Sequence, residues 1–423
     1  MSDTQRLLVG FDLCNDYSQI ACYNLNTFEP ESIYLMKDES KYLIPTVLGV
    51  TKDSKDWIYG EDAIQLANMG EATLVEDFLL SIINEENTLI HEVSFTGTEL
   101  LERYLRKCLT LLKQFFPNES IQKIVFTLKD QNPLLREALY TAMVSLGMNH
   151  ERIVVISHSQ SYLYYALSQK KELWMNDVGL FDFDETGVHY SQISINRKNH
   201  PMIVGTKEKD FSNILSFQLL ENSEKKENLC YLLEDITKTA LHKQIISTVY
   251  FTGKGFEDNW ADEVLAGLCS SRRVFKGQNL YASGACYMAR ELTREEKKND
   301  FLFLSEEMIA SDIVVNVYYN AMMKEAYLAN AGIPWFESKN QIDLILDDEI
   351  EIEIITRNIM KHEETRQMIT LEGLTNKPNK TTRVQIRASF LDVKSCVITM
   401  KDIGFGDFFP SSNRIWEKVI QLE

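Results

Sequence analysis

The sequence is poor in several features that define whole classes of protein. Its seven cysteines include no CxxC pair and are odd in number, so reduced thiols are expected and neither a zinc cluster nor a disulfide framework is predicted. No apolar run reaches the roughly 20 residues that cross a bilayer. The N-terminus lacks the basic start and apolar stretch of a signal peptide. We therefore expect a cytoplasmic protein without a membrane partner.

Basic residues are also scarce in this chain. It has 44 Lys and Arg against 62 Asp and Glu, which gives a formal net charge of −18. A phosphate backbone is bound by clustered cations, so we expect no nucleic-acid partner. Residues 56–102 hold eleven acidic side chains and no Lys or Arg, a pattern that indicates a solvated acidic surface.

What the chain does contain is an alternation of strands and helices up to about residue 299. A strand–turn–strand pattern occurs at 7–23 and again at 179–195, about 170 residues later. Between these two hairpins, apolar spacing predicts a helix over 98–116, a buried strand over 124–128 and a helix that begins at Asn132-Pro133. This order predicts an α/β protein with two similar halves, each opening with a hairpin.

Beyond residue 310 the periodicity changes to that of strands. Residues 349–355 alternate apolar and acidic side chains, and 375–380 form a turn cluster. We expect a separate β domain whose aromatic residues mainly fill its core; these are Trp335, Phe336, Phe405, Phe408 and Phe409. The glycine- and phenylalanine-rich segment 401–410 indicates either a docking loop or a packed turn that closes the domain.

Short segments in a fixed order carry a resemblance to one superfamily. They are 10–13 (GFDL), 44–47 (IPTV), 60–63 (GEDA), 181–182 (FD), 251–255 (FTGKG), 282–285 (ASGA), 300–304 (DFLFL) and 329–334 (ANAGIP). In this order they resemble the actin, hexokinase and heat-shock ATPase superfamily, and within it the DnaK-type chaperones. The match covers nearly the whole chain, although each segment alone is short.

The resemblance implies a fold and its boundaries. Residues 1–299 would form a two-lobed, actin-like ATPase fold with ribonuclease-H-like halves at about 1–170 and 171–299, the second one reduced. Residues 300–309 would be the interdomain linker. Residues 310–423 would be a β-sandwich that resembles the chaperone peptide-binding domain, and we expect the helical lid of that family to be missing.

The nucleotide site implied by the resemblance is degenerate in this chain. Glycine lets backbone N–H groups approach a phosphate, yet Asp184, Glu185 and Thr186 stand where three glycines are expected, and 14–17 (CNDY) replace the first set. Phe78 matches the lysine that the family places near the γ-phosphate, and 157–159 (SHS) replace its acidic hinge pair. We expect a negatively charged pocket that lacks its cation and repels a triphosphate.

The residues that the resemblance still assigns to a vestigial nucleotide cleft are Asp12, Asp182, Gly253, Gly255 and Gly284. Each has a second interpretation. The aspartates would hold metal-bound water or cap local N–H groups, and the glycines would serve turns and close packing. No catalytic residue, metal ligand or cofactor is assigned, and ATP with magnesium is disfavoured.

Four further side chains of the implied cleft carry open alternatives. Asp184 and Glu185 would hold a divalent cation together with Asp182, or form a solvated acidic turn. His189 would be a general base or a half-exposed strand residue. Lys254 would meet a phosphate or stay in solvent.

Three functions compete at this point. The favoured hypothesis is a non-catalytic DnaK-like protein, a pseudo-ATPase that serves as a protein-binding scaffold or chaperone-like module. The second is a divergent ATP-binding protein or weak ATPase that uses a metal held by Asp12 and Asp182. The third is a peptide-binding chaperone without nucleotide control. The first and third hypotheses require a protein or peptide partner, and the second requires a nucleotide ligand. None of them involves nucleic acid.

Overall fold

The fold is a mixed α/β arrangement of several sheets that continues into a strand-rich C-terminal region. It is described here from a computed structural model. The described residues are 6–34, 42–129, 131–197, 201–222, 226–294, 301–305, 307–347, 350–374 and 378–422. The chain divides into two units, the first made of 1–194 and 208–299 and the second of 195–207 and 300–423.

The N-terminal half of the first unit contains most of its strands. They are β1 (Arg6–Leu13), β2 (Tyr17–Asn24), β3 (Glu29–Ser32), β4 (Ile44–Pro45), β5 (Leu48–Thr51), β6 (Trp57–Tyr59), β7 (Ala72–Val75), β8 (Asn87–Ile90), β9 (Val93–Thr96), β10 (Ser120–Leu128), β11 (Ile153–Ser157), β12 (Asp177–Phe183) and β13 (Val188–Asn196). The helices between them are α1 (Gly60–Asn68), α2 (Phe78–Ile83), α3 (Gly97–Phe115), α4 (Pro133–Ser145) and α5 (His158–Ser168).

The chain continues through further strands and helices to residue 294. They are β14 (Met202–Asp210), β15 (Ile246–Thr252), β16 (Arg273–Lys276), α6 (Phe217–Asn222), α7 (Lys226–Leu241), α8 (Asp262–Leu268) and α9 (Leu280–Thr293). Short 3-10 turns lie at His150–Arg152, Lys171–Trp174, Lys254–Phe256 and Asn259–Ala261.

Two sheets of the first unit share one pattern of pairing. In the first, β1 is antiparallel to β2 and parallel to β10, and β10 is parallel to β11. In the second, β12 is antiparallel to β13 and parallel to β15, and β15 is parallel to β16. The two predicted hairpins are therefore confirmed, and each is extended by two parallel strands.

The helices form where the sequence predicts them, because their local signals are strong. Helix α3 begins with a reciprocal cap between Thr96 and Glu99 and buries an apolar stripe that includes Leu101, Leu105 and Cys108. Asn132 accepts a hydrogen bond from the Leu134 N–H at the start of α4. Helix α5 begins at His158, because Ser157 and Gln160 cap it there.

The second unit is built mainly of antiparallel strands. They are β17 (Phe301–Leu304), β18 (Ser311–Tyr319), β19 (Met322–Ala329), β20 (Gln341–Leu346), β21 (Glu351–Asn358), β22 (Glu363–Thr370), β23 (Thr382–Asp392), β24 (Ser395–Asp402) and β25 (Ile415–Gln421). Two four-stranded sheets, in the orders β19-β18-β21-β22 and β20-β23-β24-β25, contribute to one buried core. The strand-rich C-terminal region is thus confirmed.

The expected linker and turn cluster are only partly covered by the described residues, and part of the linker is a strand. Residues 301–304, placed in the linker by the sequence, form β17 and pair in parallel with residues 202–205 of β14. Residues 295–300 and 375–377, which include Asp300 of the linker and part of the turn cluster, lie outside the described residues, as does Glu349. The domain boundaries themselves stay a prediction.

The aromatic residues of the second unit divide between core and surface. Trp335 packs against the shared core. Phe405 is 41% exposed and Phe408 is 93% exposed, so the expectation that these aromatics fill the core is wrong for both. None of the helices in the described part of the chain is long and apolar enough to cross a membrane.

Candidate functional site

Two aspartates hold matching places in the two hairpins of the first unit. Asp12 lies next to the end of β1, opposite Gln19 of β2, and Asp182 lies next to the end of β12, opposite His189 of β13. The neighbouring parallel strand runs alongside each of them, β10 beside Asp12 and β15 beside Asp182. Each hairpin thus presents one acid just before its turn.

Asp12, Cys14 and His158 form a cluster at the first hairpin. The His158 Nε2 atom lies 2.8 Å from Asp12 Oδ1. The Cys14 thiol donates to the same oxygen at 3.5 Å and lies 3.7 Å from the His158 nitrogen. His158 is the first residue of α5, directly after its N-cap Ser157, so the start of that helix fixes where the imidazole lies.

Tyr281 connects this cluster to the second hairpin. Its ring stacks on the His158 ring with centroids 3.8 Å apart and an angle of 14° between the planes. Its hydroxyl donates to Asp182 Oδ2 at 2.8 Å. A continuous set of contacts therefore runs from Asp12 through His158 and Tyr281 to Asp182, and occupies one carboxylate oxygen of each aspartate.

Burial governs the protonation of this set. Burial, helped by the neighbouring Asp184 carboxylate, raises the pKa of Asp182 to about 6. Burial and the nearby charges of Asp12 and Asp16 raise the pKa of the Cys14 thiol well above its ordinary value. Cys14 is therefore a neutral thiol at neutral pH, and the cluster does not present the thiolate that a cysteine nucleophile needs.

The turn of the second hairpin binds its own backbone. Asp184 Oδ1 accepts hydrogen bonds from the Thr186 N–H at 2.8 Å, the Thr186 hydroxyl at 2.6 Å and the Gly187 N–H at 3.4 Å. Its other oxygen accepts from the Lys129 ammonium. His189 Nε2 lies 3.5 Å from Asp184 Oδ1. Two amide groups of this turn, the kind that a phosphate would use, are therefore already engaged.

The expectation that this pocket lacks a cation is wrong. Lys129 follows β10 and pairs with Asp184. Burial opposes the charge of the Asp184 carboxylate, but hydrogen bonding to His189 and the charge of Lys129 outweigh burial and hold its pKa well below the usual range. Residues 56–102 supply no cation, but Lys129 does, and its ammonium forms an ion pair with Asp184.

The contacts of Lys254 and His189 can be compared with the alternatives expected for each of them. The Lys254 ammonium lies over the rings of Tyr17 and Phe217, at 4.9 and 5.2 Å from their centroids, rather than free in solvent. His189 is partly buried, bonds to the Thr186 hydroxyl at 2.7 Å and lies 3.3 Å from an Asp210 oxygen.

A pocket of about 360 Å³ lies beside Lys254 in the first unit. Phe217 and Trp260 give it aromatic walls, and three acids line it as well; these are Glu221, Glu257 and Asp258. One lysine against three acids is an unfavourable balance for an anionic ligand such as a triphosphate.

The three glycines assigned to the cleft are required by packing. Gly253 has φ +97°, and a Cβ there would lie 2.5 Å from the Phe183 carbonyl oxygen. A Cβ at Gly255 would lie 2.3 Å from the Phe183 ring, and one at Gly284 would lie 2.0 Å from the Ser161 carbonyl oxygen. Their packing role is thus visible, and their role in binding a cofactor stays a prediction.

The residues around Asp12 do not fit the magnesium ion that the resemblance implies. Magnesium takes oxygen ligands in octahedral geometry and keeps several waters. The side-chain groups that contact the Asp12 carboxylate include a thiol and an imidazole nitrogen, and the Asp182 carboxylate accepts a hydrogen bond from a phenol. No step of a phosphoryl transfer is therefore assigned to a metal at these aspartates.

Sequence reasoning missed the partners that define the site. Lys129, His158 and Tyr281 lie far along the chain from the residues they meet, and only the replacement of the hinge acids at 157–159 pointed to one of them. Only the topology of the fold indicates these partners. Strand β10 ends beside the hairpin turns, and helices α5 and α9 begin there.

Comparisons with known proteins assign no activity. A domain of unknown function, DUF8552, matches residues 308–422. No curated protein matches the chain. The C-terminal part of a family of unknown function, DUF5716, matches residues 29–306, which is more than half of the chain, and the protein therefore belongs to the DUF5716 family.

Proposed function

We propose that this protein is a non-catalytic, DnaK-like pseudo-ATPase that serves as a protein-binding scaffold or chaperone-like module. In this proposal the first unit is a two-lobed, actin-like ATPase fold whose cleft has become part of its own structure. The second unit is a β-sandwich related to the chaperone peptide-binding domain.

The pairing of strands supports the proposed fold. Each half of the first unit has an antiparallel hairpin extended by two parallel strands, as β1, β2, β10 and β11 and as β12, β13, β15 and β16. Helices α5 and α9 pack closely, since a Cβ at Gly284 would meet the Ser161 carbonyl. Repeated hairpin-led halves are what the superfamily resemblance implies.

The observation that carries the proposed function is the occupation of the second turn by Asp184. The Asp184 carboxylate accepts the Thr186 and Gly187 amides and is held by Lys129. A phosphate entering this turn would have to displace a charged hydrogen-bond acceptor that is tied to a lysine. Charge-assisted hydrogen bonds of this kind contribute about 1.5–3 kcal/mol each.

Electrostatic repulsion adds to that cost. Asp12, Asp182 and Glu185 also lie at or beside the two hairpin turns, so a triphosphate would meet several carboxylates. Lys129 is paired with Asp184, and Lys254 lies over the Tyr17 ring. A carboxylate at about 4 Å from a phosphate charge costs about 1 kcal/mol in water and several times that value near a protein surface. We infer that backbone donors do not offset this repulsion.

The partner-binding surface that we propose is the loop between β24 and β25, referred to as the Phe408 loop (residues 403–414). Buried Asp402 orders it by accepting hydrogen bonds from the Gly404 N–H at 2.9 Å and the Ser412 N–H at 2.8 Å. Phe408 belongs to this loop and is 93% exposed. An ordered loop that presents an exposed aromatic side chain suits an apolar surface of a partner.

A thermal-shift experiment separates this proposal from the divergent ATP-binding hypothesis. We expect millimolar ATP to leave the melting temperature unchanged, whether alone, with Mg²⁺ or with Mn²⁺, because binding would stabilise the folded state by mass action. An increase that needs both ATP and a metal would support the divergent ATPase and contradict the scaffold. Measurable ATP hydrolysis would contradict it as well.

A further inference from the structure

We propose that Asp12, Cys14 and His158 form a binding site for a zinc-like divalent metal ion. The three residues offer one carboxylate oxygen, one thiol sulfur and one imidazole nitrogen, and these atoms lie within 4.8 Å of one another. The proposal is independent of the scaffold function, since it concerns the first hairpin and α5 and makes no use of nucleotide or partner.

The distances between the three atoms suit a tetrahedral ion. With the usual zinc bond lengths of about 2.0–2.3 Å, neighbouring ligands of a tetrahedron lie roughly 3.3–3.6 Å apart. Cys14 Sγ lies 3.5 Å from Asp12 Oδ1 and 3.7 Å from His158 Nε2. The third separation, 2.8 Å between Asp12 Oδ1 and His158 Nε2, is a hydrogen bond that has to widen by about half an ångström.

The donor set also selects the class of metal. Thiolate and imidazole ligands favour zinc, cobalt and similar ions, whereas magnesium and calcium favour oxygen ligands alone. When the ion binds, the Cys14 thiol releases its proton to solvent and forms the sulfur–metal bond. Three protein ligands leave a fourth position of the tetrahedron for water or an added ligand.

The surroundings hold the imidazole ligand in place and shield it, with the carboxylate ligand, from solvent. The ring of His158 is stacked on Tyr281, and its backbone is fixed by the Ser157 cap at the start of α5. His158 and Asp12 have side chains that are only 13% and 7% exposed. Ligands positioned by such outer contacts lose less freedom when they bind a metal. The ion would join the β1–β2 hairpin to α5.

The sequence alone did not predict this site. Asp12 and Cys14 are separated from His158 by more than 140 residues. The three ligands therefore form no short sequence motif that indicates a metal site. The expectation that the cysteines indicate no zinc cluster rested on CxxC spacing, and it did not consider a site with a single cysteine.

The test is cobalt titration of the full, reduced and chelator-treated protein, followed by displacement with zinc. We expect one Co²⁺ per chain, with a sulfur-to-metal charge-transfer band in the near ultraviolet and tetrahedral ligand-field bands in the visible. Cys14→Ser should abolish the charge-transfer band, and His158→Gln should weaken binding at least about tenfold. Cys269→Ser is the matched control, because Cys269 is an exposed cysteine elsewhere in the unit.

The wild-type titration decides the proposal even if a variant fails to fold. Absence of saturable Co²⁺ and Zn²⁺ binding to wild type would overturn it. So would a charge-transfer band that persists in folded Cys14→Ser, or displacement of cobalt by equimolar Mg²⁺. Loss of the band in Cys14→Ser together with its retention in Cys269→Ser would support it.

Discussion

The ionisation of Asp182 links a single partly buried side chain to the stability of the first unit. Burial, with the charge of Asp184, raises its pKa to about 6, whereas an aspartate in an unfolded chain titrates near 3.9. Between these values the folded protein keeps a proton that the unfolded chain has lost. The free energy of unfolding therefore falls as pH rises from about 4 to about 6, by on the order of 3 kcal/mol.

Asp182→Asn should remove this pH dependence, because an amide oxygen can still accept the Tyr281 hydroxyl but cannot ionise. We expect the stability of the variant relative to wild type to increase between pH 4.5 and pH 7, by about 2 kcal/mol. Urea unfolding of both proteins in the presence of a chelator measures the difference. Parallel pH profiles for the two proteins would show that Asp182 does not titrate in this range.

At the residue scale, the acidic residues of the site were predicted, but their hydrogen-bond and ion-pair partners were not. Asp12 and Asp182 were assigned by the family resemblance. Asp184 was noticed because a carboxylate stands there in place of a glycine that the resemblance implies. Lys129, His158 and Tyr281 are brought in by the parallel strand and the two helices. Sequence patterns show which elements form, but not which helix start meets which turn.

At the scale of single elements, the close contact between α5 and α9 depends on Gly284, which has no side chain. Gly284→Ala would place a Cβ 2.0 Å from the Ser161 carbonyl oxygen, so the helices would have to separate. We expect the variant to lose about 1–3 kcal/mol of unfolding free energy or more, since the obstacle is backbone. Chemical denaturation of the purified variant measures this loss.

Gly267→Ala is the matched control for that experiment. Gly267 also lies in a helix, α8, but a Cβ there meets nothing within 4 Å. Its replacement should be neutral or stabilise the protein by about 0.4–1 kcal/mol through the unfolded state. Equal effects of the two substitutions would mean that the α5–α9 contact is not as tight as the structure shows.

Elements with strong local signals were predictable, and those defined by tertiary pairing were not. Helix α3, the cap of α4 and the two hairpins were predicted because capping residues and alternation lie within a few residues of each other. The family resemblance implies a linker at residues 300–309, whereas 301–304 form the strand β17. Four apolar residues carry no alternation that indicates a strand, and the partner β14 lies about 100 residues away in the chain.

At the scale of the whole molecule, the scaffold proposal requires a surface that binds another chain. We expect the protein to bind a permanently unfolded polypeptide and Phe408→Ser to weaken that binding about tenfold, because exposed aromatic anchors each contribute about 1–2 kcal/mol or more. Fluorescence anisotropy of the labelled polypeptide measures the affinity.

Leu391→Ser is the matched control for the Phe408 loop. Leu391 is also an exposed apolar residue of the second unit, 63% accessible, but it lies before β24, whereas the Phe408 loop follows that strand. We expect this variant to bind like wild type. Equal loss of binding in both variants, or none in either, would place the binding surface elsewhere.

The central claim is that the second hairpin turn is closed to nucleotide by Asp184 and its lysine. The most direct measurement is isothermal titration calorimetry of the full protein with ATP and Mg²⁺. The account predicts no saturable heat of binding up to millimolar ATP. A one-to-one isotherm with micromolar affinity would contradict it, because such binding requires the turn amides that Asp184 occupies.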